Sequence, residues 1–356
     1  MQTHPQAAFA DDGPWVIDAD GHVVEPLDIW DRFLPEQYRP GAPRIEGFDD
    51  LIFAIEGGTN PALRGRDMDI DRIERAYVFP TLGLGVAGFT EPATGLALCR
   101  AVNDWMADYC AQTSGRVIGV GALPSTSCAD ALDEARRCID TLGFAGVFRR
   151  PELYPGVLPI HDPSFEPLWD YLESANAPIV VHSGFNPFVP IPYFTDRFPD
   201  STIACHAALF PIEAMMALNS FILYGILERH PALRVGLVEC GGMWSYSYIH
   251  RLDEHVEKWP AMLKQDVTPN VKLSRRPSEY FRDQCFVSVE DAEPGIELLV
   301  EEYPDSVVYA SDYPHPDATF PGATRSLLTT DVLTKEQRRA VCRTNGLRLY
   351  GAADHA

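Results

Sequence analysis

Positive charge is scarce in this 356-residue chain: 29 Lys and Arg stand against 51 Asp and Glu, a formal net charge of −22. Neutralising a phosphate backbone takes clustered basic side chains. Here they come in pairs such as Arg136-Arg137, Arg149-Arg150 and Arg275-Arg276, each set among acids. Nucleic acid is therefore excluded as a partner, and so is an anionic membrane surface. The eight cysteines include no C-x-x-C pair, which argues against a metal knuckle or a disulfide framework. The roughly 18 uninterrupted apolar residues of a membrane span are missing. The start, MQTHPQAAFADDGPW, has neither the basic end nor the apolar run of a secretory signal. These absences predict a reduced, soluble, cytoplasmic protein.

What is present is a rhythm. Hydrophobic residues at 46% and charged ones at 22% suffice for a packed core. Short β-branched and apolar runs occur at 15–23, 76–81, 116–124, 145–150, 178–184, 234–242, 285–290 and 307–313. Stretches with apolar residues at helical spacing lie between and after them, at 93–113, 127–142, 164–176, 211–229, 244–258, 293–303 and 334–349. Continuously apolar strands alternating with amphipathic helices describe a parallel sheet covered by helices. Eight such strands predict a (β/α)8 barrel. A doubly wound open sheet is the alternative, but the turn after the first strand carries no Gly-x-Gly-x-x-Gly. Residues 15–350 read as one barrel domain, and 1–14 as a disordered or extended N-terminal segment. Pro- and Gly-rich insertions at 34–66 and 185–205, after the first and fifth strands, are expected to form loops on the C-terminal rim, where barrel enzymes build pockets.

Polar groups gather at the predicted strand ends. The first strand closes on Asp18-Ala19-Asp20-Gly21-His22, and strict alternation puts Asp18, Asp20 and His22 on one face. The fifth ends on His182 after a purely apolar run, the sixth on Glu239, and the eighth on Asp312 in Ala310-Ser311-Asp312-Tyr313-Pro314-His315. Any one of these also suits a structural role, a strand-end hydrogen bond or a helix cap. Together, each behind an apolar strand that rejects charge, they point to oxygen and nitrogen ligands converging on one divalent cation. Glu239 is a candidate general base, a further ligand, or the partner of a nearby Arg. Arg150, ending the fourth strand, is a candidate clamp for a substrate carboxylate. His206 either faces substrate or opens the helix that follows it, and Phe185, Phe188, Tyr193, Phe194 and Trp244 are expected in the pocket wall.

The stretches DADGHVVEPLDIWDRFLP, AYVFPTLGL, GGMWSYSYIHRLDEH, PSEYFRDQCFVSVE and YASDYPHPDATFPGA carry a resemblance. Across about 15–350 the chain resembles the amidohydrolase superfamily. The branch is the amidohydrolase-related (amidohydrolase 2) one that includes aminocarboxymuconate-semialdehyde decarboxylase and non-oxidative aromatic acid decarboxylases. The resemblance implies a metal held by Asp20, His22, His182 and Asp312. The family's first His is Asp20 here; a harder oxygen donor makes Mn²⁺ as suitable as Zn²⁺. The His that many decarboxylases carry at the end of strand six is Glu239 here. The resemblance also implies a homodimer in which Arg251, on the helix after strand six, reaches a neighbouring subunit's substrate; its other reading is a surface residue paired with Asp253 or Glu254.

The expected reaction is hydrolysis of a small carboxylated or aromatic metabolite through a water activated by the cation, with Asp312 moving the proton and Glu239 or His206 assisting. Glu239 in place of His tips the reading from carbon protonation toward water activation. Non-oxidative decarboxylation of an aromatic or unsaturated acid is the alternative, and a non-catalytic metal-binding barrel the third.

Overall fold

The computed structural model describes residues 15–43, 54–151, 156–184, 191, 194–259 and 272–354. Every predicted strand has its counterpart: β1 (Val16–Val23), β2 (Ile73–Pro80), β3 (Val117–Ala122), β4 (Gly146–Arg149), β5 (Ile179–His182), β6 (Val235–Val238), β7 (Cys285–Val289) and β8 (Val307–Tyr309). They pair in sequential order as one parallel sheet. All residues of β4 to β8 are buried, as strands covered on both faces must be. The main chain just past β8 closes the cylinder onto β1. Ser311 N and Asp312 N donate to Asp20 O at 3.1 and 3.0 Å, and His22 N donates to Tyr313 O. The structure is a (β/α)8 barrel whose closing seam lies at the ligand-bearing ends of β1 and β8.

Two predicted boundaries move. The helix read as 211–229 starts at Thr202, capped by Ser201 Oγ on Ala204 N, and runs to Leu223. Pro211 lies inside it rather than in its first turn. Gly225, with φ 73°, then separates a short helix, Ile226–Arg229. The last residues of the expected 185–205 loop, including Cys205, are therefore helical; 185–190 and 192–193 lie outside the described residues. The 34–66 insertion likewise holds a 3-10 turn, Glu36–Gly41, and the start of a helix, Pro61–Ile70. Asn60 Oδ1 accepts from Ala62 N and Pro61 takes the first helical position, a start signal the loop reading overlooked. The proposed N-terminal segment, 1–14, is outside the described residues.

By length and composition Thr202–Leu223 is also apolar enough to cross a membrane, with a mean hydropathy of 1.4 over its best window. Half of that window is buried inside the molecule. Leu209, Phe210, Leu218 and Phe221 face inward, so apolar content here is explained by the barrel core.

Candidate metal centre

Three strand ends, of β1, β5 and β6, bring four polar side chains to one point. Asp20, His22, His182 and Glu239 each offer a ligand atom, and these atoms lie within 4.8 Å of one another. His182 Nε2 is 3.3 Å from His22 Nε2, 3.4 Å from Asp20 Oδ1 and 3.3 Å from Glu239 Oε2. His22 Nε2 is 3.6 Å from Asp20 Oδ1 and 3.9 Å from Glu239 Oε2. Ligands at roughly 2.1 Å from a common tetrahedral centre stand roughly 3.4 Å apart, close to these spacings.

Hydrogen-bond polarity aims the imidazoles. A carbonyl only accepts, so His22 Nδ1, 3.2 Å from Pro80 O, is the donor. Burial, with His315 and His182 nearby, holds the His22 pKa well below its ordinary value, so Nε2 turns a lone pair inward. His182 Nδ1 faces the Ser183 carbonyl and likewise leaves Nε2 toward the cluster. Both Asp20 carboxylate oxygens and Glu239 Oε2 are buried without a hydrogen-bond partner. Buried carboxylate oxygens are normally satisfied, and a divalent cation is the group that would satisfy these while separating facing lone pairs and like charges. The donor set fits the metal that the sequence implies.

The structure places two overlapping groups of candidate ligands at the expected point: Glu239 stands with Asp20, His22 and His182 in the first, and Asp312 with His22, Glu239 and His315 in the second. Asp312 Oδ1 lies 3.4 Å from His22 Nε2 and 2.6 Å from His315 Nδ1. Both site acids follow the end of their strand with left-handed backbone, φ 50° at Glu239 and 52° at Asp312. Side chains leave such residues in directions that strand alternation does not forecast. Ser288 Oγ fixes the Glu239 N–H at 3.0 Å, and Glu293 takes the next helix's Gly242 and Met243 N–H groups.

His315 was missed as a site residue although it stands three positions after Asp312. Thr81 Oγ1 donates its only hydrogen to Val23 O at 3.0 Å, so at 3.2 Å from His315 Nε2 it accepts. His315 Nδ1 in turn lies 2.6 Å from Asp312 Oδ1, an ion pair when the ring is charged. Burial works against that charge, but Asp312 outweighs it and the His315 pKa is raised. The ring stacks on His22 with centroids 4.0 Å apart. Burial first, then Asp312 and Asp20, push the Glu239 carboxyl well above the ordinary range. Burial also raises Asp312, against the pull of His315.

Beside this cluster opens a cleft of about 200 Å³, lined by His206, Phe210, Glu239, Glu290, Asp312 and Asp317 among others. His206 therefore faces the cleft from within its helix, 3.7 Å from Asp317 Oδ2 and 4.0 Å from Glu239 Oε1. Arg150 does not present itself as a clamp: it is buried and ion-paired with Glu213 at 3.2 Å. Arg251 is exposed on the helix Met243–Lys258. Trp244, on the same helix, packs near Tyr248 and is not among the described residues that line the cleft. Phe185, Phe188 and Tyr193 lie outside the described residues.

Strict alternation also fails for Asp18. The β1–β2 register slips between Asp18 and Gly21, and this bulge sends Asp18 to Ser311 instead of the cluster. Glu25, just past β1, is a second buried acid unforeseen from the sequence; it accepts from the N–H groups of Thr81, Leu82 and Gly83.

The amidohydrolase family description matches residues 17–352. The 2-amino-3-carboxymuconate-6-semialdehyde decarboxylase of Dictyostelium discoideum is 26% identical over 258 residues, 72% of this chain and 67% of that protein. The gamma-resorcylate decarboxylase of Rhodococcus jostii is 26% identical over 239 residues, 64% of this chain and 70% of that one. Among solved structures, a 5-carboxyvanillate decarboxylase mutant from Novosphingobium aromaticivorans, with bound manganese and 3-methoxy-4-hydroxy-5-nitrobenzoic acid, superposes with a TM-score of 0.77. It is 20% identical and covers 96% of this chain and 98% of that one.

Proposed function

The chain belongs to the amidohydrolase family, and from that membership we propose that it is a metal-dependent non-oxidative decarboxylase of a small aromatic or unsaturated acid. Asp20, His22, His182 and Glu239 would hold one Mn²⁺ or Zn²⁺, with Asp312 at the rim of the set. The observation that carries the reading is the buried donor cluster whose Asp20 oxygens and Glu239 Oε2 have no hydrogen-bond partner, opening on a cleft that also presents Asp312. Hydrolysis, favoured by Glu239 alone, gives way to its alternative because the relatives at 26% identity are named decarboxylases.

Bound there, the cation would supply positive charge that draws in the substrate carboxylate and stabilises the charge left when it departs. The chain's residues handle the proton. The C–C bond to the carboxylate breaks, CO₂ leaves, and the electron pair remains on carbon. The pair Asp312–His315 holds a proton at Asp312 Oδ1 and His315 Nδ1, 2.6 Å apart, and Asp312 delivers it to that carbon. Phe210 gives the cleft an apolar wall for a ring, and His206 lies over it with centroids 4.2 Å apart.

The test is a panel of hydroxy- and methoxybenzoates incubated with Mn²⁺-loaded protein in D₂O. The reading expects CO₂ release with one deuterium at the vacated carbon. Hydrolysis remains a second reading, on the observation that Glu239 is a carboxylate where a decarboxylase of this branch carries His. Turnover of esters, amides or lactones without CO₂ would establish it instead.

A further inference from the structure

Three consecutive residues, Ser311 to Tyr313, place Asp312, and a wholly buried carboxylate organises them. Asp18 Oδ1 accepts from Ser311 N at 2.9 Å and Asp18 Oδ2 from Ser311 Oγ at 2.6 Å. Ser311 Oγ in turn accepts from Tyr313 N at 3.1 Å, while Ser311 N and Asp312 N both donate to Asp20 O. Arg64, 1% exposed, reaches in from the helix Pro61–Ile70. Its Nη1 donates to His22 O at 3.0 Å and its guanidinium covers the Tyr313 ring at 4.1 Å. The Tyr313 hydroxyl donates to Asp67 on the same helix at 2.7 Å.

This network occupies the Gly21 side of β1. A Cβ on Gly21 would lie 2.7 Å from Asp18 Oδ2 and 3.1 Å from Arg64 Nη2, so the residue between Asp20 and His22 has no room for a side chain. Neither Asp18 nor Arg64 belongs to either donor group. Asp18 instead accepts from Ser311 N, Ser311 Oγ and Asp20 N, while Arg64 donates to His22 O and covers the Tyr313 ring. Asp312 has left-handed backbone, so its carboxylate is aimed by main-chain angles that this network fixes.

We propose that Asp18 and Arg64 are positioning residues for the metal centre, locking the ends of β1 and β8 so that Asp20, His22 and Asp312 are preset before the ion arrives. The inference rests on the metal reading above. Groups that orient ligands typically change metal affinity by about 10–100-fold when replaced. A role confined to stability would lower the melting temperature and leave the ligand field untouched.

The full chain as Asp18→Asn and as Ser311→Ala, loaded with Co²⁺, separates the two roles. Affinity is read by competition with a chelator and geometry from the visible absorption bands. We expect Asp18→Asn to bind Co²⁺ about 10–100-fold more weakly with shifted bands and an unchanged far-ultraviolet circular dichroism spectrum. Ser311→Ala removes the hydroxyl's bonds to Asp18 Oδ2 and from Tyr313 N but keeps the Ser311 N–H on Asp18 Oδ1, and the expectation is a change of the same kind; it decides the matter if Asp18→Asn does not fold. Wild-type affinity and bands in the folded variants would overturn the proposal, whatever their melting temperatures. A wild-type chain that binds no Co²⁺ contradicts the metal reading itself, a separate result that takes this inference with it.

Discussion

Replacing Glu239 by Gln removes one charge from the acidic cluster and nearly no volume, and its effect on stability should change sign with metal. Without metal, Glu239 lies within 4.8 Å of both Asp20 and Asp312, measured between their ligand atoms. At an effective dielectric of about 20, each ionised pair at that distance repels by about 3 kcal/mol. Its side chain is only 8% exposed, so solvent screens little of this. The folded chain responds by holding the Glu239 carboxyl above its unfolded pKa. A carboxyl raised on folding costs stability as pH rises from the ordinary carboxylate range toward the folded value, because the unfolded chain releases the proton more easily. The uncharged amide of the Glu239→Gln variant has no such slope. Stripped of metal, the variant should therefore melt above wild type, with a larger gap at pH 8 than at pH 5.5. A relief of about 2 kcal/mol corresponds to roughly 3 °C in a chain of this size.

With metal the order reverses. An ion at 100 times its Kd stabilises the fold by about 2.7 kcal/mol, and a 100-fold weaker site at the same concentration gains only about 0.4 kcal/mol. The assay is scanning calorimetry of both proteins, chelator-treated and Mn²⁺-loaded, at the two pH values. A Glu239→Gln variant that melts below wild type without metal, and gains as much as wild type when metal is added, would refute the placement of Glu239 in the ligand set.

Three further outcomes follow from the same geometry. Gly21→Ala forces a Cβ against Asp18 and Arg64 and should cost about 1–3 kcal/mol in urea unfolding, whereas Gly41→Ala, with nothing within 4 Å of its Cβ, should be close to neutral. Glu25→Gln weakens three backbone N–H bonds to a charged acceptor and should lower stability by about 1–3 kcal/mol in the same measurement. Asp312→Asn keeps a residue type that tolerates left-handed backbone; it should fold and bind Mn²⁺, while CO₂ release falls by about 10²–10⁴-fold.

The barrel was legible because strands buried on both faces read as apolar runs, and eight of them between helical patterns leave few alternatives. Asp20, His22 and His182 were legible as strand-end polar residues behind such runs. The rest depended on backbone that no pattern announces. The register slip between Asp18 and Gly21 goes with Asp18 bonding to Ser311 instead of joining the cluster. Left-handed φ at Glu239 and Asp312 sets how the two acids face the cluster, and it brings Asp312 within 2.6 Å of His315. Arg150 was read as a candidate carboxylate clamp; its ion-pair partner, Glu213, is 63 positions away, a pairing that no local pattern announces. The helix that carries His206 starts at Thr202, earlier than its apolar spacing indicated.

We propose that a single divalent ion is held by Asp20, His22, His182 and Glu239, with Asp312 beside them. Elemental analysis of the purified chain, repeated on His182→Ala, tests it most directly. One equivalent of Mn or Zn per chain in the wild type, and well under a tenth of that in the folded variant, is the predicted result. A wild type that retains no divalent metal after Mn²⁺ or Zn²⁺ loading, or a variant that keeps a full equivalent, would contradict it.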